Sequence, residues 1–324
     1  MNNFKKIGLS ALAGSLVAVS AQAAEVSLSG GASVALTKTS DHNKTTYYHN
    51  DSITATITGE TDGGLTITTS LEMDGDAAGL GGDFDSQSIK ISTDSMGTIT
   101  FAGHGGSTVI GGWDDMMPTA YEEVFALTKD DSATAVGNST IGGFGGNNLW
   151  RYDSPNYSGF SFHASYSSAA NTGSVSSYSD MGVQFAPEMV DGLTIGYATG
   201  EHDESATVLG LDSSTLWVKY VYDSVTVGYQ VSEVDGPTST QDDDSTSYAI
   251  SYAVTDDFSV SYGEHTMDLG SATAAGTDQE SSGVSASYTM GGTTIKAAFN
   301  ETENVAGVAA DDEESMEIAL SFAF

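Results

Sequence analysis

Beyond residue 23 the sequence holds seven basic residues, Lys38, Lys44, Lys90, Lys129, Arg151, Lys219 and Lys296, against 44 Asp and Glu. Many of the acids gather within one stretch, as Trp113-Asp114-Asp115, Tyr121-Glu122-Glu123 and Lys129-Asp130-Asp131. Carboxylates grouped in this way can hold a hard cation such as Ca²⁺, which takes oxygen ligands, and Asp114, Asp115, Glu122 and Glu123 are the candidate ligands. No segment has the full EF-hand spacing, and Asp74-Gly75-Asp76 is too short to count. Beyond that candidate Ca²⁺ no cofactor is expected. Clusters of charge can also sort ions in a water-filled passage. Nucleophilic chemistry has less to stand on. No G-x-S-x-G elbow, Walker loop or H-E-x-x-H is present. The six histidines (His42, His49, His104, His163, His202 and His265) lack ligand spacing. His163 shares a side with Ser161 and Ser165, unremarkable on a serine-rich face, so no enzyme is expected.

The whole chain sets limits on these readings. It has 324 residues, a formal net charge of -35 and an isoelectric point near 4.1. Such a chain cannot neutralise phosphates, which excludes a nucleic-acid partner. Zero Cys rules out disulfides, thiolate metal sites and cysteine nucleophiles. Only 16% of residues are charged, below the roughly 25% of soluble domains. Lys5 and Lys6, an apolar run from Ile7 to Ser20 and Ala21-Gln22-Ala23 form the three parts of a secretory signal peptide; an uncleaved anchor is the alternative. The run is short for a membrane helix, and no later stretch approaches ~20 apolar residues. Residues 1–23 are therefore read as the signal peptide and 24–324 as one domain. Loss of Lys5 and Lys6 takes the formal charge from -35 to -37.

The elements that must carry the charges are strands. Leu28, Ala32, Val34 and Leu36 alternate with Ser27, Ser29, Gly31 and Ser33, and Met316, Ile318, Leu320, Phe322 and Phe324 share one face. The spacing predicts strands at 25–36, 51–60, 64–73, 83–93, 97–104, 147–153, 158–168, 179–187, 191–199, 212–222, 224–233, 244–253, 257–267, 279–288, 293–302 and 315–324, about sixteen. Connections alternate between long and short, beginning with a loop of about a dozen residues and then the tight turn Thr61-Asp62-Gly63. An antiparallel meander with that alternation puts every long loop on one side, the layout of an outer-membrane barrel. The long loops carry Asp242–Asp244 and Asp311–Glu314, read as solvated tips.

A soluble β-sandwich shares the period of two. Three features favour the all-β transmembrane antiparallel barrel. The polar face is Ser, Thr, Gly and Ala, and the aromatics Tyr157, Phe160, Tyr222, Phe258 and Tyr288 recur near strand ends. Closure also removes the edges of so large a sheet and satisfies every backbone group in lipid.

Parity assigns the cations a face. Lys90, Arg151, Lys219 and Lys296 each lie between apolar neighbours, so all four point to the lumen; Lys or Arg at the lipid-facing midplane costs about 2–4 kcal/mol. Each lies a few residues from a short turn, which puts the four at one level, about 7–9 Å above the rim. The longest connection, Gly105 to Gly146, mixes its acids with Val109, Ile110, Met116, Met117, Val124, Phe125 and Leu127. A solvated loop would not need those apolar residues, whereas packing against an inner wall would.

Three segments resemble the Gram-negative general diffusion porins, especially their alphaproteobacterial branch. They are Glu25-Val-Ser-Leu-Ser-Gly, Leu149-Trp-Arg-Tyr-Asp-Ser-Pro-Asn-Tyr-Ser-Gly-Phe-Ser-Phe and Met316-Glu-Ile-Ala-Leu-Ser-Phe-Ala-Phe. The resemblance implies a sixteen-stranded homotrimeric barrel in the outer membrane, with partners in lipid, lipopolysaccharide and the barrel assembly machinery. It makes Phe324 an assembly signal and folds the third long loop, 105–146, inward. There Asp114, Asp115, Glu122 and Glu123 would face Lys90, Arg151, Lys219 and Lys296 across a constriction. The expected function is passive diffusion of small hydrophilic solutes and ions, with a mild cation preference from the charge of -37. The alternatives are a channel specific for one nutrient, with Trp113, Tyr121 and Phe125 stacking on it, and an adhesin or receptor acting through its outer loops.

Overall fold

The computed structural model describes residues 24–40, 45–74, 84–125, 146–168, 177–203, 210–239, 241–270 and 277–324. The expected signal peptide, Lys44, Asp76, and the loop portion with Leu127, Lys129, Asp130 and Asp131 lie outside the described residues. The alternating segments form sixteen strands. The first eight are β1 Glu25–Thr39, β2 Thr45–Glu60, β3 Thr66–Asp74, β4 Ser86–Thr93, β5 Gly97–His104, β6 Leu149–Asp153, β7 Phe160–Ser167 and β8 Tyr178–Phe185. The rest are β9 Leu193–His202, β10 Leu211–Tyr222, β11 Val225–Asp235, β12 Asp243–Thr255, β13 Phe258–Leu269, β14 Gln279–Met290, β15 Thr293–Glu303 and β16 Glu313–Ala323.

Every strand pairs antiparallel with its sequence neighbours, and β1 pairs with β16 to close the barrel. The seam register runs from Gly31↔Ala323 to Thr39↔Ser315. Beyond it Gly30 and Phe324 exchange backbone hydrogen bonds of 3.1 and 3.0 Å, so the terminal residue completes the ring. Among the described residues no helix is long and apolar enough to cross a membrane; the spanning elements are strands.

The two faces differ as the alternation requires. Val34, Ile53, Phe162, Tyr197, Val284 and Ile318 are exposed on one. The other carries Ser165, Gln230, Asn300, Thr302 and Glu317, all buried. The connections 61–65, 94–96, 154–159, 186–192, 223–224, 256–257 and 291–292 share one end with the chain terminus. Their chemistry fits: Asp223 (φ 53°) and Gly291 (φ 63°) take the left-handed conformation that two-residue hairpins demand. Tyr157, Phe160, Tyr222, Phe258 and Tyr288 flank these short turns, at the height of an interfacial girdle.

One connection departs from the sequence reading. The first loop is not a dozen residues long, because β1 continues to Thr39 and β2 starts at Thr45, with Lys38 paired to Thr45. The β-branched and aromatic residues Thr37, Thr39, Thr45, Thr46, Tyr47 and Tyr48 extend the pairing past the expected ends. Lys38 thereby enters a strand on the apolar face, at its outer end.

Val284 is about seven residues above the short turn, near mid-height of a ~25 Å apolar band. Val284→Lys is expected to destabilise folding into lipid vesicles by about 2–4 kcal/mol, while Ser259→Lys, on the opposite face, leaves it unchanged; urea titration of vesicle-inserted protein checks both.

Candidate functional site

The chain leaving β5 does not return directly to β6. Ser107 to Phe125 run along the hydroxyl-rich face of the sheet, touching side chains from β6 round to β16. At the start, Arg151 donates from Nη1 to the carbonyls of Ser107 (3.1 Å) and Thr108 (3.0 Å). Its Nε is held by Asp153 on the same strand (3.0 Å), which also binds His163 Nδ1 (2.7 Å). One turn of 3₁₀ helix, Ile110–Gly112, follows, and the Ile110 amide donates to the buried Asp180 carboxylate (2.8 Å).

An apolar cluster then seats the segment. Val109, Ile110 and Trp113 pack on Ala198 and Trp217, with Met116 against them and the two indoles edge to face at 5.6 Å. Glycine makes the room on the wall: a Cβ on Gly182 would lie 2.6 Å from the Trp113 ring, and one on Gly196 2.3 Å from Trp217. Further on, Gln230 spends its amide on the segment. Its Nε2 donates to the Trp113 carbonyl (2.7 Å) and Thr215 Oγ1 (2.9 Å), and its Oε1 accepts the Met116 amide (2.8 Å). Gln230 is 3% exposed, and a buried amide is tolerable only when so satisfied.

Past Pro118 the amides of Ala120 and Tyr121 donate to Ser261 (2.9 Å) and Ser285 (3.0 Å), hydroxyls of β13 and β14. Asn300 of β15 donates to the Glu123 carbonyl (2.9 Å). The Tyr121 hydroxyl reaches Glu317 of β16, which also accepts from Tyr48 of β2 (2.6 Å).

Lys90, Arg151, Lys219 and Lys296 all lie on this same face. Lys90 and Arg151 both pair with Thr100. Lys219 stacks on Trp217, 5.8 Å from the ring centroid, and Lys296 on Tyr121 at 5.0 Å. Lys219 is within electrostatic reach of Asp115, and Lys296 of Glu122. Both lysines therefore sit on the stretch of wall that the segment covers. Arg151 likewise meets backbone carbonyls and Asp153 rather than the four acids, because the segment starts directly over β6. Lys90 forms no ion pair with a described residue and lines a recess with Ser88, His104, Ser107 and Arg151.

The four acids divide. Asp115 and Glu123 approach each other, whereas Glu122 is within electrostatic reach of Glu123, Glu317 and Lys296. Among the described residues no three such side chains converge as a metal site. Burial, opposed by the Met117 amide and reinforced by Glu123, pushes the Asp115 carboxyl up to about 7. Burial likewise raises Asp114, and raises Glu122 with help from Glu123 and Glu317.

Sequence reasoning passed over Asp180, Gln230, Glu317 and Tyr48. Glu317 carries the same signal as the lysines, an ionisable residue between apolar Met316 and Ile318. Gln230 and Tyr48 carry none, since their role depends on which residues the segment brings to them.

The sequence matches, over residues 8–307, the family described as Gram-negative porin. The chain belongs to the Gram-negative porin family. Two mutants of Rhodopseudomonas blastica porin superpose on this porin with TM-scores of 0.65 and 0.66, at 16% and 15% identity. In each case 93% of this chain and 100% of the other are covered. A porin refined at 1.8 Å gives a TM-score of 0.68 at 14% identity, with the same coverage. At these identities the likeness carries the fold alone. No curated protein sequence matches the chain. Family and barrel together make this porin a channel of the outer membrane.

Replacing Gln230 with Leu leaves the Trp113 carbonyl and Met116 amide unpaired, each costing about 1–3 kcal/mol. The porin is expected to keep its barrel while limited proteolysis between residues 105 and 125 accelerates, read by mass spectrometry of the fragments.

Proposed function

We propose that this porin passes small hydrophilic solutes and ions by passive diffusion, with a mild preference for cations, and that the 105–146 segment narrows its channel. The observation that carries the reading is the course of residues 107–125. They are anchored to β7, β8, β11 and β13–β16 on the hydroxyl-rich face. A closed sheet has one inner face, and a segment that touches so many strands on a single face occupies the lumen. Among the described residues it follows the wall the long way round and does not cover the side lined by Ser33, Asn50, Ser52, Glu72, Asp74 and Ser321. That lining adds two carboxylates to the acids of the segment, while Lys219 and Lys296 lie against segment acids. Charge facing the water at a narrowing is what sorts ions, and a field that reaches only about 8 Å must be built locally.

A channel specific for one nutrient finds less support. Trp113 and Phe125 are buried, 6% and 8% exposed, and Tyr121 is engaged by Glu317 and Lys296, so none offers a free ring. The reading includes export by residues 1–23 and assembly as a homotrimer, for which light scattering of the detergent-solubilised porin should return three chains per particle.

The test of selectivity is the reversal potential in a KCl gradient across a planar bilayer. It should have the cation sign at about pH 8, and an anion sign there would overturn the charge argument. Because the Asp115 carboxyl binds its proton below about 7, the preference should weaken between about pH 8 and pH 6, above the range in which unperturbed carboxylates titrate. Asp115→Asn should flatten that step.

A further inference from the structure

We propose that Glu317 is the positioning residue that holds Tyr121 of the constricting segment and so fixes the bore of the channel. The inference rests on the constriction reading above and adds the contact that sets its width. Glu317 is 4% exposed. A carboxylate so removed from water is costly unless donors replace its hydration. Two of its donors are phenols brought from different elements, Tyr48 of β2 (2.6 Å) and Tyr121 of the segment, and both reach the same oxygen, Oε1. β2 and β16 are separated by β1, where Glu317 pairs with Thr37. The phenol of Tyr121 therefore docks where β16 meets β1 and β2, at the margin of the wall that the described residues of the segment cover. Its ring also carries the Lys296 ammonium at 5.0 Å.

The neighbouring contacts are of a different kind. Ala120, Tyr121 and Glu123 are held through backbone groups by neutral Ser261, Ser285 and Asn300. Such bonds fix the path of the chain along the wall and are indifferent to its side chains. The bond to Glu317 is charge-assisted, the stronger class, and it alone among these decides where the Tyr121 ring lies. With the bond made, ring and lysine are folded against the wall. With it broken, the ring is free to swing, and the open cross-section fluctuates.

The experiment is single-channel recording of the full-length porin in planar bilayers. Tyr121→Phe removes one hydroxyl and no packing. Loss of a hydrogen bond to a charged group should raise the occupancy of a second conductance level by roughly tenfold or more. Glu317→Ala should do the same, whereas Glu317→Gln, which retains a carbonyl acceptor, should restore most of the single level. Thermal unfolding of Tyr121→Phe should match the parent, because the barrel ladders are untouched; this separates a positioning role from a structural one. Should Glu317→Ala fail to fold, Tyr121→Phe still decides.

The chain has no Cys, so Tyr121→Cys with Glu317→Cys can be joined cleanly by a short bifunctional thiol reagent, and joining should return the fluctuating current to one level. If Tyr121→Phe conducts at the parent's single level while Asp115→Asn still alters the reversal potential, the constriction stands and the role of Glu317 is overturned. If a bulky thiol reagent on Ala120→Cys leaves the current unchanged, the constriction reading fails, and this proposal with it.

Discussion

A strand in hydrocarbon has nowhere to send its backbone N–H and C=O groups except to another strand. The ladder between β1 and β16 answers that demand for the whole sheet, because it converts the two edges of a sixteen-stranded ribbon into one more pair. Closure then creates two environments from one alternation. Apolar side chains meet lipid, and the hydroxyl-rich side is left to line water or to bind whatever enters the interior. The rest of the architecture is an elaboration of that inner surface.

The segment after β5 lies on that hydroxyl-rich surface, and its docking follows the rules of a protein core rather than those of a surface loop. Wall groups that would be wasted facing water are buried and matched: Asp180 to the Ile110 amide, Gln230 to the peptide groups of Trp113 and Met116, Glu317 to the Tyr121 hydroxyl. The apolar cluster around Trp113 and Trp217 contributes burial without direction, and the polar contacts supply the register. The charges left on the segment are then shaped by that burial, which is why Asp115 lies far above the usual carboxylate range.

The barrel was legible because it repeats one rule. Parity located the sixteen strands and gave a face to Lys90, Arg151, Lys219 and Lys296; it did not reach Lys38, because Thr- and Tyr-rich ends carried β1 and β2 further than the turn signals suggested. The interior was legible in part. The apolar residues of the long segment pointed to a wall, but not to which stretch of it. The resemblance implied that the four cations would face the acids across a gap; the structure lays the segment over Lys219 and Lys296 and sets its first residues on Arg151. Pairing of distant elements has no period, so Gln230 looked like any polar residue on an inner face, and Tyr48 like a strand aromatic.

The seat of the segment is made partly of missing side chains. At Gly182 and Gly196 the indoles of Trp113 and Trp217 occupy the volume a Cβ would take, and at Gly228 Pro118 comes within 2.5 Å of that volume. Gly182 and Gly228 act as shims of zero thickness between wall and segment, and Gly196 does so at one remove, beneath the wall's own Trp217. A sequence that drifted from glycine to alanine or serine there would keep every ladder bond and every lipid contact, yet push the segment away from the wall. The clearance between wall and segment can therefore evolve by single methyl groups on the wall, independently of the residues the segment itself carries.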